Sequence, residues 1–348
     1  MVRPPNVAMP VIHASGSPCS RRSIHPSKAS PSGAAARSSA ASSWGAMQPA
    51  RAKRPVKVDR SIVTPSRSHA AASRVGDGRY PRTVSDGPAS VDFDRAADFY
   101  DATRDVGDDA TTRTLDLVAK ELQHRTPALE IGVGTGLIAL PLRERGLDVV
   151  GIDLSAAMLG KLRAKTDERT SMSVLRADAT RLPFRDGSFG AAYGRHVLHL
   201  IQDWRTAVAE LCRVVGHGVI MIDSGFGNER SPWLDLWDAM RSVLGPEADH
   251  VGLDTSRDGV TELDEAFAAA GAIPRPLEVI AYPDLETVAE MLAEVEQRSP
   301  SWTWRVSDEG LRDAIEAGRR WTLERYDSLD VRLEETAYVH WRAYDLGA

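Results

Sequence analysis

Residues 128–153 read ALEIGVGTGLIALPLRERGLDVVGID, a short apolar run, three glycines at alternate positions (Gly132, Gly134 and Gly136), a helix-like segment and a second apolar run closing on Asp153. A strand that passes through glycines into a helix needs positive φ angles and close backbone approach. It also presents backbone N–H groups and the positive end of a helix dipole to whatever lies above it. Loops of this kind cradle nucleotide-like cofactors. The dinucleotide pattern is G-x-G-x-x-G, whereas position 137 is Leu, so the third glycine comes one residue early. Asp153, 21 residues after Gly132, is spaced to accept the hydrogen bonds of a ribose diol, a role shared by nicotinamide and other adenosine-containing cofactors. These residues alone leave both kinds open.

The run belongs to a longer alternation. Strands are predicted at ALEI, DVVGI, SVLRA, FGAAY and GVIMID, separated by helices at 136–145, 155–165 and 203–214, with a further helix at TTRTLDLVAKELQ upstream. Such an order implies right-handed βαβ units and a doubly wound, Rossmann-like α/β fold with helices on both faces of a mostly parallel sheet. Ligands of such sheets bind at the carboxyl ends of the strands. The residues near Gly132, Asp153, Asp178, Arg195 and Asp223 therefore surround one crevice. Beyond Asp223, helices are predicted at 231–244, with Ser231 as cap and Pro232 at the first helical position, and at 261–270. A strand at PLEVIAY, two helical segments within 284–326 and a last strand at EETAYVHWRAY follow. Six of the eight Trp lie from Trp233 onward, as core or as pocket lining.

The chain splits by charge. Residues 1–88 hold 14 Lys+Arg and 3 Asp+Glu, whereas residues 89–348 hold 29 and 46. The first segment is rich in Ser, Ala, Pro and Arg and has no apolar periodicity, so it is read as a disordered basic tail. Its composition is similar to that of a transit peptide, but no apolar stretch follows SRRSI to support export. A loosely phosphate-binding arm is the other reading of its charge. The remaining 89–348 form one domain, divided into a cofactor-binding core at 93–223 and a substrate side of helices and terminal strands at 224–348. Its acidity disfavours a nucleic-acid partner. No apolar run of membrane-spanning length occurs, and only Cys19 and Cys212 are present, in keeping with a reducing cytoplasm.

LEIGVGTG, VVGIDLSAAML, RADATRLPFRDGSF and VLHLIQDWRTAVAELCRVV, in that order, resemble the class I S-adenosylmethionine-dependent methyltransferases of the type 11, UbiE-like group. The resemblance covers roughly 93–223 and implies a seven-stranded sheet ending in a reversed hairpin. It also implies S-adenosyl-L-methionine as cofactor. Carried over residue by residue, Glu130, Gly132, Gly134 and Gly136 hold the amino acid end of the cofactor and Asp153 takes the ribose. Leu154 and Met158 lie beside the adenine, Asp178 and Ala179 meet its edge, and Tyr100 lies over the methionine part. An aromatic face near a sulfonium also has a cation–π rationale. Two departures stand out: Gly190 replaces an Asp that usually follows the Phe of DGSF, and RVVGHGV replaces a turn like RVLKPGG.

Methyl transfer from a sulfonium needs in-line positioning more than a base. Should the acceptor be a hydroxyl or protonated amine, His196, His199 and Asp223 are candidate bases or contacts, and Arg195 is placed to face either ligand. The spacing of His196 and His199 also fits a metal pair, but no third ligand stands out beyond Asp203, so no metal is expected. Substrate choice is assigned to the lead-in near Phe99 and Tyr100, to 225–245 with Trp233 and Trp237, and to 284–326. Together these suggest an aromatic lid and a small, partly apolar acceptor. A macromolecular acceptor, cofactor binding without catalysis, and a nicotinamide-dependent oxidoreductase are the competing readings. No YxxxK occurs in the core to support the last.

Overall fold

The computed structural model describes residues 93, 94, 97, 100–103, 108–223, 232–245, 251–254, 257–283, 286–333 and 336–347, all within the unit Lys53–Ala348. The tail expected at 1–88, the cap at Ser231 and the aromatic at Phe99 lie outside the described residues.

Seven strands form one sheet: β1 (Ala128–Ile131), β2 (Val149–Asp153), β3 (Ser173–Arg176), β4 (Ala191–Arg195), β5 (Gly218–Asp223), β6 (Ala272–Pro283) and β7 (Thr336–Leu346). Their order is β3-β2-β1-β4-β5-β7-β6; the first five are parallel, and β7 runs antiparallel to both β5 and β6. The parallel strands are nearly continuous apolar runs because both faces are covered. On one face α1 (Asp108–Leu122), α2 (Ala139–Glu144) and α3 (Ala156–Lys165) pack on Ala128, Val149, Tyr193, Met221 and Trp341. On the other, α4 (Trp204–Val215) and α6 (Arg257–Ala269) pack on Ile131, Ile152, Ile220 and Tyr344.

Local chemistry sets the element ends. Ser155 caps α3 by accepting the Met158 N–H at 3.0 Å, Asp203 caps α4 through Thr206, and Gly216 ends α4 at φ 64°. The helix expected at 136–145 is shorter, six residues from Ala139, because Gly136 at φ 87° still belongs to the turn. β6 begins four residues before the run at Pro276 that announces it. Pro274 and Pro276 are tolerated there because β6 is an edge strand, and its register shifts between Pro276 and Val279.

The departure at Gly190 has a steric cause. A Cβ there would stand 2.6 Å from the Arg125 carbonyl carbon, so no Asp fits at the entry to β4. Both departures lie at the amino ends of strands, away from the crevice.

The end of β5 and the β6–β7 connection both open at the carboxyl edge of the sheet. There α5 (Pro232–Arg241), α7 (Val288–Glu296) and α8 (Asp308–Leu323) build a separate helical core from Leu236, Met240, Leu292, Val295, Leu311 and Ala314. Trp233, Trp237, Trp302 and Trp321 pack against it, with Trp237 and Trp302 edge to face at 5.5 Å. Most of the Trp-rich segment thus serves this core. Among the described residues, no helix is long and apolar enough to cross a membrane.

Candidate functional site

The three glycines all have positive φ, at 64°, 52° and 87°, but for different reasons. A Cβ on Gly132 would strike Val197 at 2.6 Å, and one on Gly136 would strike Leu140 at 2.8 Å. A Cβ on Gly134 meets nothing closer than the Tyr100 ring at 3.8 Å. Packing therefore demands two of the glycines, while the third leaves backbone open beneath an aromatic ring.

The loop does not present the row of unpaired N–H groups expected from its sequence. Val133 donates to Ile152 O, Gly134 to Asp153 Oδ2 and Gly136 to Val133 O, at 2.8–2.9 Å. With these three amides engaged, the loop keeps fewer open donors for a pyrophosphate than its sequence suggests. This adds to the argument from Leu137 against the dinucleotide reading.

Asp153 closes β2 and spans two elements, accepting Gly134 N–H through Oδ2 and Ser155 N–H through Oδ1, both at 2.8 Å. Leu154 follows it, half-buried. Met158 is 1% exposed, covered by Ala97 and packed with Phe93, Tyr100 and Trp304. Asp178 is exposed, and its Oδ1 accepts both the backbone N–H and the hydroxyl of Thr180; Ala179 beside it is buried in the core. The Asp178 oxygen is thus engaged in a turn.

Glu130 lies one row below this edge. It is 3% exposed and its Oε2 accepts the Tyr193 hydroxyl at 2.9 Å. Burial pushes its carboxyl up to about 8; the Tyr193 hydrogen bond opposes the rise, the charge of Asp153 adds to it, and Arg195 opposes it.

At the other end of the crevice, Arg195 and His196 turn toward Asp223, which is 2% exposed. Arg195 Nε donates to Asp223 Oδ2 at 3.0 Å, His196 N–H donates to the Asp223 carbonyl at 3.1 Å, and His196 Nε2 lies 3.9 Å from Oδ2. His196 adopts φ 49°, a left-handed conformation uncommon for a residue other than glycine and held here by its neighbours. His199 sits half-buried one turn on, in the 3-10 turn Leu198–Leu200, its carbonyl accepting the Gly252 N–H at 3.0 Å.

Several contacts escape sequence reasoning. Asp101 accepts the Thr135 hydroxyl and pairs with Lys165, which also donates to Thr135 O at 3.2 Å, so the lead-in turn Tyr100–Thr103 is fastened to the glycine loop. Burial raises the Asp101 carboxyl pKa, but the hydrogen bonds from Lys165 and Thr135 and the charges of Lys165 and Lys161 together hold it below its ordinary value. Asp94 accepts from Ser155 and Ala157 at the start of α3. Trp304, between α7 and α8, meets Phe93 at 4.6 Å, so the helical insertion reaches the lead-in. Asp101 and Asp94 do stand in the stretch FDRAADFYDATRD; nothing local marks their partners.

A family profile described as Methyltransferase domain matches residues 129–222. A demethylmenaquinone methyltransferase from Clavibacter sepedonicus is 31% identical over 230 residues, 61% of this chain and 85% of the relative. A demethylmenaquinone methyltransferase from Renibacterium salmoninarum is 32% identical over 139 residues, 39% of this chain and 57% of the relative. A malonyl-[acyl-carrier protein] O-methyltransferase from Halorhodospira halophila is 29% identical over 193 residues, 53% of this chain and 65% of the relative. Against several of the curated relatives it matches, the chain spans a little over half of their length, 57% and 56% in two cases.

Proposed function

The chain belongs to the class I S-adenosylmethionine-dependent methyltransferases of the type 11, UbiE-like group, and from that premise we propose that it transfers a methyl group from S-adenosyl-L-methionine to a small-molecule acceptor. The observation that carries this reading is the division of labour among the glycines. Gly134 alone of the three is free of packing demands, and it faces Tyr100 above a loop in which the Val133, Gly134 and Gly136 amides are paired. That surface suits the methionine part of a sulfonium cofactor. It is poorly made for a pyrophosphate.

When bound, the cofactor supplies an electrophilic methyl group on a sulfonium. Glu130 would hold its amino acid end with Gly132, Gly134 and Gly136, and Asp153 its ribose. Leu154, Met158, Asp178 and Ala179 would line the adenine side, and the Tyr100 ring would face the cation. Lys165 and Asp101 hold the lead-in turn over this region. Positioning of this sort supplies about 7–11 kcal/mol toward a bimolecular displacement. His196, whose backbone N–H donates to the Asp223 carbonyl, would accept a proton from the acceptor, with His199 as a further contact.

The demethylmenaquinone named for the relatives is the first acceptor to test, and the insertion that differs from the core, α5 with α7 and α8, is where choice among acceptors would reside. The cytoplasm is the proposed setting, with the domain running over 89–348. Calorimetry with S-adenosylhomocysteine and with NAD(H), on the wild type and on Asp153→Ala, tests the cofactor. Tight binding of the homocysteine product, lost in Asp153→Ala, is expected. Binding of NAD(H) without it would sink the reading.

A further inference from the structure

The carboxyl edge continues past the residues used above. Arg195 pairs in register with Asp223, and Asp223 with Trp341, so three neighbouring strands send these side chains to the face that α1 covers. Adjacent strands lie about 4.8 Å apart, which sets the Cα atoms of Arg195 and Trp341 about 10 Å from each other across Asp223. Arg113 donates to Ala281 O near the end of β6 at 3.3 Å, so the first turns of α1 lie over this edge.

The row is incompletely bonded. Nε of Arg195 is taken by Asp223; among the described residues no protein group accepts from Nη1 or Nη2, although the side chain is only 16% exposed. Trp341 is 2% exposed and its Nε1 is buried without a hydrogen-bond partner among the described residues. A buried donor left unpaired costs about 1–3 kcal/mol, and native interiors hold few of them. One such donor, placed across a buried carboxylate from a guanidinium whose Nη groups have no protein acceptor among the described residues, stands at the edge where parallel sheets bind ligands and calls for a ligand group that completes it. Both offer donors only. The completing group must therefore be an acceptor, and because Asp223 offsets the charge of Arg195, a ring carbonyl, hydroxyl or phenolate oxygen suits the row better than a multiply charged anion.

We propose that Arg195 and Trp341 form an oxygen-binding subsite for the methyl acceptor, in which Arg195 Nη and the Trp341 indole N–H donate to an oxygen on the acceptor's ring. Asp223 is its positioning residue, holding the guanidinium through Nε. The subsite rests on the methyltransferase reading and assigns Arg195 to the acceptor, not to the cofactor.

The test uses the full chain saturated with S-adenosylhomocysteine and two bicyclic probes under anaerobic, reducing conditions: 1,4-dihydroxynaphthalene and 1,4-dimethylnaphthalene. The wild type should bind the dihydroxy probe about tenfold or more tighter, the magnitude of one or two hydrogen bonds. Trp341→Phe, which keeps an aromatic ring and deletes the N–H, and Arg195→Lys, which loses the planar fork, should each cut that preference to about threefold or less. Affinity of Trp341→Phe for the dimethyl probe and for S-adenosylhomocysteine should stay within about twofold, which separates loss of a contact from loss of folding. No preference in the wild type, or a preference that survives both substitutions, would overturn the subsite. Failure of the wild type to bind S-adenosylhomocysteine would instead remove the methyltransferase reading on which it rests.

Discussion

Gly134 donates its backbone N–H to Asp153 Oδ2 at 2.8 Å, joining the turn after β1 to the end of β2. The other oxygen of the same carboxylate receives the N–H of Ser155, the residue that caps α3. One side chain thus fixes both walls of the crevice.

Removing that carboxylate should loosen both walls. A hydrogen bond to a charged group contributes about 1.5–3 kcal/mol, so Asp153→Ala should weaken S-adenosylhomocysteine binding by more than about tenfold. It should also lower the melting temperature. Asp153→Asn keeps one acceptor oxygen and should fall between the two in calorimetry and in thermal melts. Equal affinity in all three proteins would show that the crevice is held by other contacts.

The glycines should separate stability from binding. Gly134→Ala places its methyl group in ordinary contact with the Tyr100 ring, without a clash, so the expected loss is the cost of a left-handed alanine, about 1–2 kcal/mol, together with a large loss of cofactor affinity. Gly132→Ala adds a 2.6 Å clash with Val197 and should be the less stable of the two. Urea titrations alongside calorimetry read both quantities. The assignment fails if Gly134→Ala binds S-adenosylhomocysteine as the wild type does.

The Glu130 carboxyl titrates near 8 in the folded chain, against its ordinary 4.5, because burial disfavours its charge. Between those values the folded state holds a proton that the unfolded state has released. Stability from this group therefore falls as pH rises from 4.5 toward 8 and is level below that window. Glu130→Gln cannot ionise. Melting temperatures taken from pH 5 to pH 8.5 should show the variant gaining on the wild type as pH rises, and a constant difference would refute the assignment. A cationic cofactor favours the ionised form, so its binding near pH 7 should release protons, measurable by calorimetry in buffers of different ionisation enthalpy.

Much of the fold was legible because the signals are local. Apolar runs of four to six residues alternating with amphipathic segments predict the parallel strands β1, β2, β4 and β5, and GVIMID matches β5 residue for residue. The reversed pair β6 and β7 was anticipated, but not the four extra residues at the start of β6, since prolines read as breakers unless the strand is known to lie at an edge. The turn made by the three glycines after β1 and the place of Asp153 at the end of β2 were legible from spacing. The pairing of the loop amides was not, because it depends on Ile152 and Asp153 being brought alongside by the β1–β2 register.

The sequence by itself determined which chemistry-bearing residues meet at the carboxyl edge, because strand order along the chain and the handedness of βαβ crossovers leave little freedom there. Only the tertiary structure decided what each of them touches. Asp178 turned out to be engaged with Thr180, Met158 covered by Ala97, and Arg195 drawn to Asp223. Trp341, which as a sequence feature was one more aromatic in a terminal strand, stands beside Asp223 because β7 enters the sheet antiparallel to β5. Hydrogen bonds act over about 3 Å, and which groups come that close is set by register and packing between segments far apart in the chain. Spacing along the sequence carries no record of that distance.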